Sequence, residues 1–256
     1  MGTADSSKTG GSDLELSGRV VVVSPHLDDA VMSLGGTIAK AVKSGARVEV
    51  LTVFGYLPGS KVPAGPWDTQ SGFKTEGEAA VARRKEDLRA CRELRAEPRW
   101  FSFGAEPYER RGTPDQIWSA VDAVITGADL ALLPGYPLVH PDHAELTQLL
   151  LQRGVSARAV ALYAEQPYLF QHRRKSSRPA VAEVLQPLVG DSLAWRRIAA
   201  DSACRKVKLR AVSAYQSQLR QLGLGFFGLR RLLWHEAGHG GEAVARLSAS
   251  SPTESR

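Results

Sequence analysis

The feature that most constrains this chain is a short β-branched run, followed by an amphipathic helix and a second β-branched run. Residues 19–24 are too few for a helix and lie between Gly18 and Pro25, which predicts a buried strand. Apolar side chains recur at spacings of three and four over 28–43, which predicts a helix, and 47–54 predicts a second strand. A helix of this length between two strands is typical of a crossover that joins parallel neighbours.

The same alternation continues along most of the chain. Helices are predicted over 77–95, 114–126, the residues after 140, and 205–222, and strands over 99–103, 129–134 and 157–165. The pattern predicts a single-domain, Rossmann-like α/β fold, with a mostly parallel sheet and helices on both of its faces. The domain is expected over 18–246, between disordered polar segments at 1–17 and 247–256. Ligands of such sheets bind at the carboxyl ends of the strands.

Composition limits the class of protein and its partners. The 256 residues are 43% hydrophobic and 23% charged, which is enough apolar material for a core. No apolar run is long enough to span a membrane and the two cysteines cannot form a disulfide framework, so we expect a cytoplasmic protein without stable membrane insertion. The net charge of +6 comes from arginines and lysines within helical patterns, which predicts no nucleic-acid partner. Residues 225–234 combine aromatic and basic side chains, a mixture that suits a lipid surface but more often marks core packing beside a loop.

A first cluster of metal-ligand side chains follows the first predicted strand. His26 and Asp29 are three residues apart across the turn into the helix and could reach one cation, whereas Asp28 would point elsewhere and stay free. The alternative is helix capping, because Asp is favoured at helix N-termini.

A second cluster follows the predicted strand at 129–134. His140, Asp142 and His143 supply a possible metal ligand, a second imidazole for acid or oxyanion work, and a carboxylate that can fix a tautomer. Two such clusters, each at the carboxyl end of a strand, favour a metal site over two coincidental caps.

A third motif competes with these clusters. Residues 235–239 match the H-E-x-x-H pattern of zinc proteases, with His235 and His239 as possible ligands and Glu236 as base. Gly238 weakens any helix there, and position 245 is Ala where the longer form of the motif has a third His. The alternative is a solvent-facing polar stretch after the last helix.

The two N-terminal clusters resemble the PIG-L family, also called LmbE-like, of zinc-dependent N-acetylglucosamine deacetylases and related amidases. The similarity covers roughly residues 19–235. It rests on Ser-Pro-His-Leu-Asp-Asp at 24–29, on His-Pro-Asp-His at 140–143, and on further segments at 83–87, 162–168 and 208–218.

The resemblance implies a role for each residue of the clusters. His26, Asp29 and His143 would bind zinc, Asp28 would be the general base, and His140, oriented by Asp142, would stabilise the oxyanion and protonate the leaving amine. The sequence departs from the common family form at Leu27, where that form has Pro, and at Ala30, where it has Glu. Some sugar deacetylases of the family have Tyr in place of Leu138, so the substrate stays open.

The resemblance also implies a small-molecule or glycoconjugate substrate, an acetylated amino sugar or a sugar-bearing metabolite. Other divalent metals such as iron could replace zinc in a His/Asp site. An amidase acting on a thiol-sugar conjugate would use the same residues, and a non-catalytic binding protein is the alternative of a different class. Arg83 and Arg84 either contact the substrate or are ordinary arginines on a helix face. A homo-oligomer is possible, but the sequence does not indicate one.

Overall fold

The structure, a computed structural model, describes residues 14–104, 106–171 and 179–247. The strands are β1 (Arg19–Ser24), β2 (Arg47–Thr52), β3 (Glu97–Trp100), β4 (Leu130–Tyr136), β5 (Val160–Ala164), β6 (Trp195–Ile198) and β7 (Glu242–Arg246). The longer helices are α1 (Asp29–Lys43), α3 (Glu76–Leu94), α4 (Pro114–Ile125), α5 (Pro141–Arg153), α8 (Ser202–Val212) and α10 (Phe226–Gly238). The short helices are α2 (Pro66–Gln70), α6 (Tyr168–Gln171), α7 (Gln186–Val189) and α9 (Gln216–Leu219), and a 3-10 turn covers Glu183–Leu185.

The described strands form one sheet in the order β3-β2-β1-β4-β5-β7-β6. The first five strands pair in parallel, and β7 is antiparallel to both β5 and β6. The chain moves outward from β1 through β2 to β3 and then returns to the other side of β1 with β4. The carboxyl ends of β1 and β4 therefore lie side by side at the point where the strand order reverses, which is where ligands bind in such sheets.

Successive residues of β1 point to opposite faces of the sheet and enter two separate cores. Val20 and Val22 belong to a core with apolar residues of α1, α3, α8 and α10, whereas Val21 and Val23 belong to a core with residues of α4 and α5. All four valines are buried. Helices thus cover both faces, and the predicted single-domain α/β fold with a mostly parallel sheet is confirmed.

Three predicted segments differ from the structure. The strand predicted over 99–103 is shifted along the chain, since β3 covers Glu97–Trp100. The helix predicted over 205–222 is broken at Ser213–Tyr215, where Ser213 Oγ donates to Leu209 O and the Tyr215 hydroxyl donates to Asp87 Oδ1 at 2.6 Å. The segment 225–234, for which a loop beside core packing was expected, is largely helical in α10. The sequence pattern predicts neither β6 nor β7, since both are short, β6 contains two arginines, and β7 begins and ends with a charged residue.

The predicted disordered ends lie mainly outside the described residues. Within the described part of the first segment, Leu14 and Leu16 pack against the core that contains α1. Leu247, at the start of the second segment, packs against the core on the other face. None of the helices that the structure describes is long and apolar enough to cross a membrane.

Candidate metal and active site

The turn after β1 is held in place by a serine. Ser24 Oγ accepts from the Ala30 N–H at 2.9 Å and donates to His26 O at 2.6 Å, which ties the strand end to the first turn of α1. Asp29 Oδ2 accepts from the His26 N–H at 2.8 Å. This folding of the turn brings the side chains of His26 and Asp29 to the same point, as their spacing predicted.

Three side-chain atoms that could bind a metal meet above the ends of β1 and β4. His143 Nε2 is 3.1 Å from His26 Nδ1 and 3.2 Å from Asp29 Oδ2, and His26 Nδ1 is 3.4 Å from Asp29 Oδ2. A tetrahedral zinc ion with bonds of 2.0–2.1 Å keeps neighbouring ligand atoms about 3.3 Å apart. The triangle therefore fits three ligands of one such ion. His140 offers a further nitrogen, because one nitrogen from each of His26, His140 and His143 lies within 4.8 Å of the others.

Buried carboxylates hold the opposite nitrogens of two of these rings. His26 Nε2 is 3.1 Å from Asp142 Oδ2, and His143 Nδ1 forms a short hydrogen bond with Glu165 Oε1. A carboxylate behind a ligating imidazole fixes the tautomer that leaves the other nitrogen free for a metal. Burial lowers the pKa of His143, but the carboxylates of Asp29 and Glu165 raise it well above its ordinary value. These carboxylates therefore favour a positive charge at this ring, and a cation that binds there has to displace its proton.

His140 lies beside the ligand triangle and caps α5. Its Nδ1 accepts from the Asp142 N–H at 3.2 Å, so a neutral ring carries its proton on Nε2. Burial, together with the charges of the neighbouring His26 and His143, lowers the pKa of His140 to about 4. The Asp142 carboxylate is 3.5 Å from His140 Nδ1 but 3.1 Å from His26 Nε2. The side chain of Asp142 therefore orients His26, whereas the backbone N–H of Asp142 orients His140.

Asp28 lies next to the triangle and contributes to the cavity wall. It is 9% exposed, and both its burial and the charge of Asp29 raise its pKa well above the ordinary value. A carboxylate with a raised pKa beside the reacting centre can accept a proton near neutral pH.

A cavity of about 460 Å³ opens above these residues. His26, Asp28, Asp29 and His140 lie on its lining. The remaining lining residues come from the helices α1, α2 and α3, from the loops after the strands and from the segment before α10: Leu27, Met32, Tyr56, Pro66, Trp67, Asp68, Gln70, Arg83, Glu106, Pro107, Gln166, Pro167, Tyr168, Gln218 and Leu222. The mixture of aromatic, carboxylate, amide and guanidinium groups suits a polar ligand with many hydrogen-bonding groups.

The two arginines that the sequence left open have different surroundings. Arg83 is buried on the cavity lining and forms a short ion pair with Asp68, which also accepts from the Tyr108 hydroxyl. Arg84 donates to the carbonyl of Tyr56 at 2.9 Å and to Ser102 Oγ at 2.9 Å. Arg83 thus lies at the cavity, whereas Arg84 connects neighbouring loops.

The H-E-x-x-H segment lies at the end of α10 and is not the polar surface stretch of the alternative interpretation. The rings of His235 and His239 are 4.0 Å apart, but Glu236 forms a buried ion pair with Lys208 at 2.8 Å. The cluster of His26, His140 and His143, which could hold a metal ion, includes neither histidine of this segment. The zinc-protease hypothesis is therefore not supported, because no third ligand joins His235 and His239 among the described residues and Glu236 is paired with Lys208.

Two residues outside the predicted set contribute to the site. Glu165 follows β5, the strand beside β4, so the rule that placed both clusters at strand ends could have found it. Arg110 lies in the loop between β3 and α4 and donates to Asp142 Oδ1 at 2.6 Å. Nothing in the sequence around Arg110 indicates this contact.

A sequence model of the PIG-L family, described as GlcNAc-PI de-N-acetylase, matches residues 21–153, just over half of the chain. The chain belongs to the PIG-L family. As a PIG-L protein it contains both clusters within the matched range, and the family resemblance expected from the sequence is confirmed.

Curated relatives and solved structures agree with this assignment. A 2'-N-acetylparomamine deacetylase of Niallia circulans is 29% identical over 242 residues, which cover 80% of this PIG-L chain and 81% of the relative. A deacetylase triple mutant from the teicoplanin biosynthetic pathway is 27% identical with a TM-score of 0.71 and covers 92% of this chain and 100% of its own. The zinc-inhibited form of teicoplanin deacetylase is 25% identical with a TM-score of 0.68 and the same coverage. The predicted enzyme class, a deacetylase that hydrolyses an amide bond, is confirmed.

Proposed function

We propose that this PIG-L protein is a zinc-dependent deacetylase that removes the acetyl group from an N-acetylated amino sugar within a glycoconjugate or sugar-bearing metabolite. The observation that carries the proposal is the triangle of His26, Asp29 and His143 ligand atoms, with edges of 3.1–3.4 Å, beside a polar cavity. The relatives described above support the substrate class, since one of them is a 2'-N-acetylparomamine deacetylase.

In this proposal His26, Asp29 and His143 hold the zinc ion. Zinc, when bound, supplies a Lewis acid that polarises the acetyl carbonyl and makes a water molecule more acidic. Asp142 and Glu165 keep the two imidazoles in the tautomers that leave their ligand nitrogens unprotonated.

Asp28 takes the proton from the attacking water. Its raised pKa suits a base that must hold this proton until the amine leaves. His140 donates its Nε2–H to the oxygen of the acetyl group as negative charge develops there, because its Nδ1 is occupied by the Asp142 N–H. Asp28 then delivers the proton taken from the water to the departing amine, while His140 keeps its Nε2 proton.

The residues around the cavity select the substrate. Asp68 and Arg83 form a buried pair on the lining, and Gln166 and Gln218 supply amides there. These groups can hydrogen-bond sugar hydroxyls, and Tyr56, Trp67 and Tyr168 supply faces on which a sugar ring can pack.

The test combines zinc content with an assay of acetate release from N-acetylglucosamine conjugates. Wild type should contain one zinc ion and release acetate, His26→Ala should lose the zinc, and Asp28→Asn should keep the zinc but lose most of its activity. His239→Ala is the matched control, since it removes a histidine outside the proposed site. Zinc that stays in His26→Ala but leaves His239→Ala would refute the site, and full activity of Asp28→Asn would refute the base.

A further inference from the structure

The outward face of α10 carries three large aromatic side chains. Phe226, Phe227 and Trp234 are 64%, 84% and 80% exposed, which makes them the most exposed large apolar residues in the described part of the chain. Soluble proteins rarely leave neighbouring aromatic rings on one surface unless that surface binds something.

The helix cannot turn this face inward. Leu229, Leu232, His235 and Glu236 on its opposite side are buried, and Leu229 and Leu232 belong to the core beneath α8. At 100° per residue, these buried positions fall on one arc, and Phe226, Phe227 and Trp234 fall on the other.

The exposed face is also purely basic. Within Phe226–Gly238, all of which the structure describes, the charged side chains on the outward face are Arg230 and Arg231, and the one carboxylate, Glu236, is buried. The Arg230 guanidinium lies 5.4 Å from the centre of the Phe226 ring. Basic and aromatic side chains thus share a single surface, with no negative charge between them.

We propose that this face of α10 is a docking surface for an anionic lipid bilayer. Aromatic rings partition into the interface between lipid headgroups and acyl chains, and arginines bind the anionic headgroups, so the composition of the face matches a helix that lies on a membrane. The contact is peripheral and reversible, which agrees with the lack of a membrane-spanning helix among the described residues.

The charge of this face favours a lipid bilayer over two other partners, a second copy of the chain and a single-stranded nucleic acid. A symmetric contact with a second copy would place the Arg230 and Arg231 pairs of both copies together with no carboxylate on the face to balance them. Single-stranded nucleic acid binds in grooves with basic side chains along their length, whereas this surface is one convex helix with two arginines.

The experiment measures sedimentation of the full chain with vesicles. Wild type should bind vesicles of phosphatidylcholine mixed with phosphatidylglycerol more tightly than vesicles of phosphatidylcholine alone. The double variant Arg230→Gln/Arg231→Gln should lose about 25-fold in affinity for the anionic vesicles, since each arginine near such a surface contributes about fivefold. Arg89→Gln/Arg92→Gln on α3, which changes the net charge equally at two other exposed arginines, should bind like wild type.

Two aromatic variants complete the test. Phe227→Ser should reduce binding by about tenfold or more, because its ring supplies buried apolar area, whereas Val62→Ser, at an exposed residue elsewhere, should have no effect. Brominated lipid should quench the fluorescence of Trp234, a loss that Trp234→Phe abolishes.

Three results would overturn the proposal. In the first, the wild-type protein does not bind the anionic vesicles, and in the second, all variants bind the vesicles with equal affinity. In the third, the main effect of Phe227→Ser is the loss of a dimer or of oligonucleotide binding. Acetate release from a soluble substrate should stay unchanged in every variant, so failure here is distinct from failure of the proposed deacetylase activity.

Discussion

Substitution of Glu165 by Gln tests how the protein holds His143 ready for a metal. Glu165 is 1% exposed and serves two donors, the ring nitrogen Nδ1 of His143 and the N–H of Leu138 at 2.9 Å. A carboxylate can accept from both, but an amide has one oxygen and one NH₂ group. If the amide oxygen faces Leu138, the NH₂ group faces His143 and forces its proton onto Nε2, the proposed ligand atom. If the amide turns around, the NH₂ group opposes the Leu138 N–H.

Either orientation of the amide weakens the site. Loss of a carboxylate partner behind a metal-binding imidazole lowers metal affinity about 10- to 100-fold, which corresponds to about 1.4 to 2.8 kcal/mol. We therefore expect Glu165→Gln to show this decrease in zinc affinity at neutral pH, measured by competition with a chromophoric chelator. If the amide turns its NH₂ group toward Leu138, the metal-free variant should also unfold more easily, because the Leu138 N–H then lacks a partner.

The control is Glu93→Gln, which removes an exposed carboxylate of α3 that pairs with Arg210 and makes no contact with the site. Its zinc affinity should equal that of wild type. Equal affinities of Glu165→Gln and wild type would refute the role of Glu165, and a loss of stability without a loss of zinc affinity would reduce that role to packing.

Three further predictions follow from charged or reactive groups in the structure. Arg110→Met should lower zinc affinity by about three- to tenfold, which is less than the loss expected when a direct partner of a ligand is removed. The control Arg153→Met, which removes an exposed ion pair, should leave zinc affinity unchanged. Equal zinc affinities of the two variants in chelator competition would refute the role of Arg110. Burial raises the pKa of Glu236 to about 7 from its ordinary 4.5, so the native state binds the extra proton between these values and its unfolding free energy falls as pH rises through that range. Urea unfolding of Glu236→Gln at about pH 5 and pH 7 should show a smaller fall than wild type, and an equal fall would contradict this assignment. Burial raises the pKa of Cys91 far above its ordinary value, so iodoacetamide should label it only after unfolding, as mass spectrometry can show; rapid labelling of the folded protein would contradict it.

The N-terminal half of the fold could be predicted because its elements are locally self-consistent. β1 begins and ends where the sequence placed it, at Arg19 and Ser24, since four consecutive valines suit a buried parallel strand. The two clusters at the ends of β1 and β4 follow from the same alternation, because topology places both strand ends together.

The remaining elements depend on contacts that the local sequence does not contain. The helix predicted over 205–222 breaks because the Tyr215 hydroxyl bonds to Asp87, a residue 128 positions earlier. β7 is stabilised by partners on both sides, although its own five residues include two charged ones. In the site, the partners of His26 and His143 are carboxylates distant in sequence, which the spacing of a motif cannot indicate.

The position of β7 has a consequence for synthesis of the protein. β7 separates β5 from β6 in the sheet, yet Glu242 follows the end of β5 at Ala164 by 78 positions. At about 5 to 20 residues per second, a ribosome needs about 4 to 16 s to add that length of chain. During this time the apolar strand β5 has an open edge that other chains could join. This edge of β5 therefore stays unpaired in the nascent chain until β7 has been synthesised.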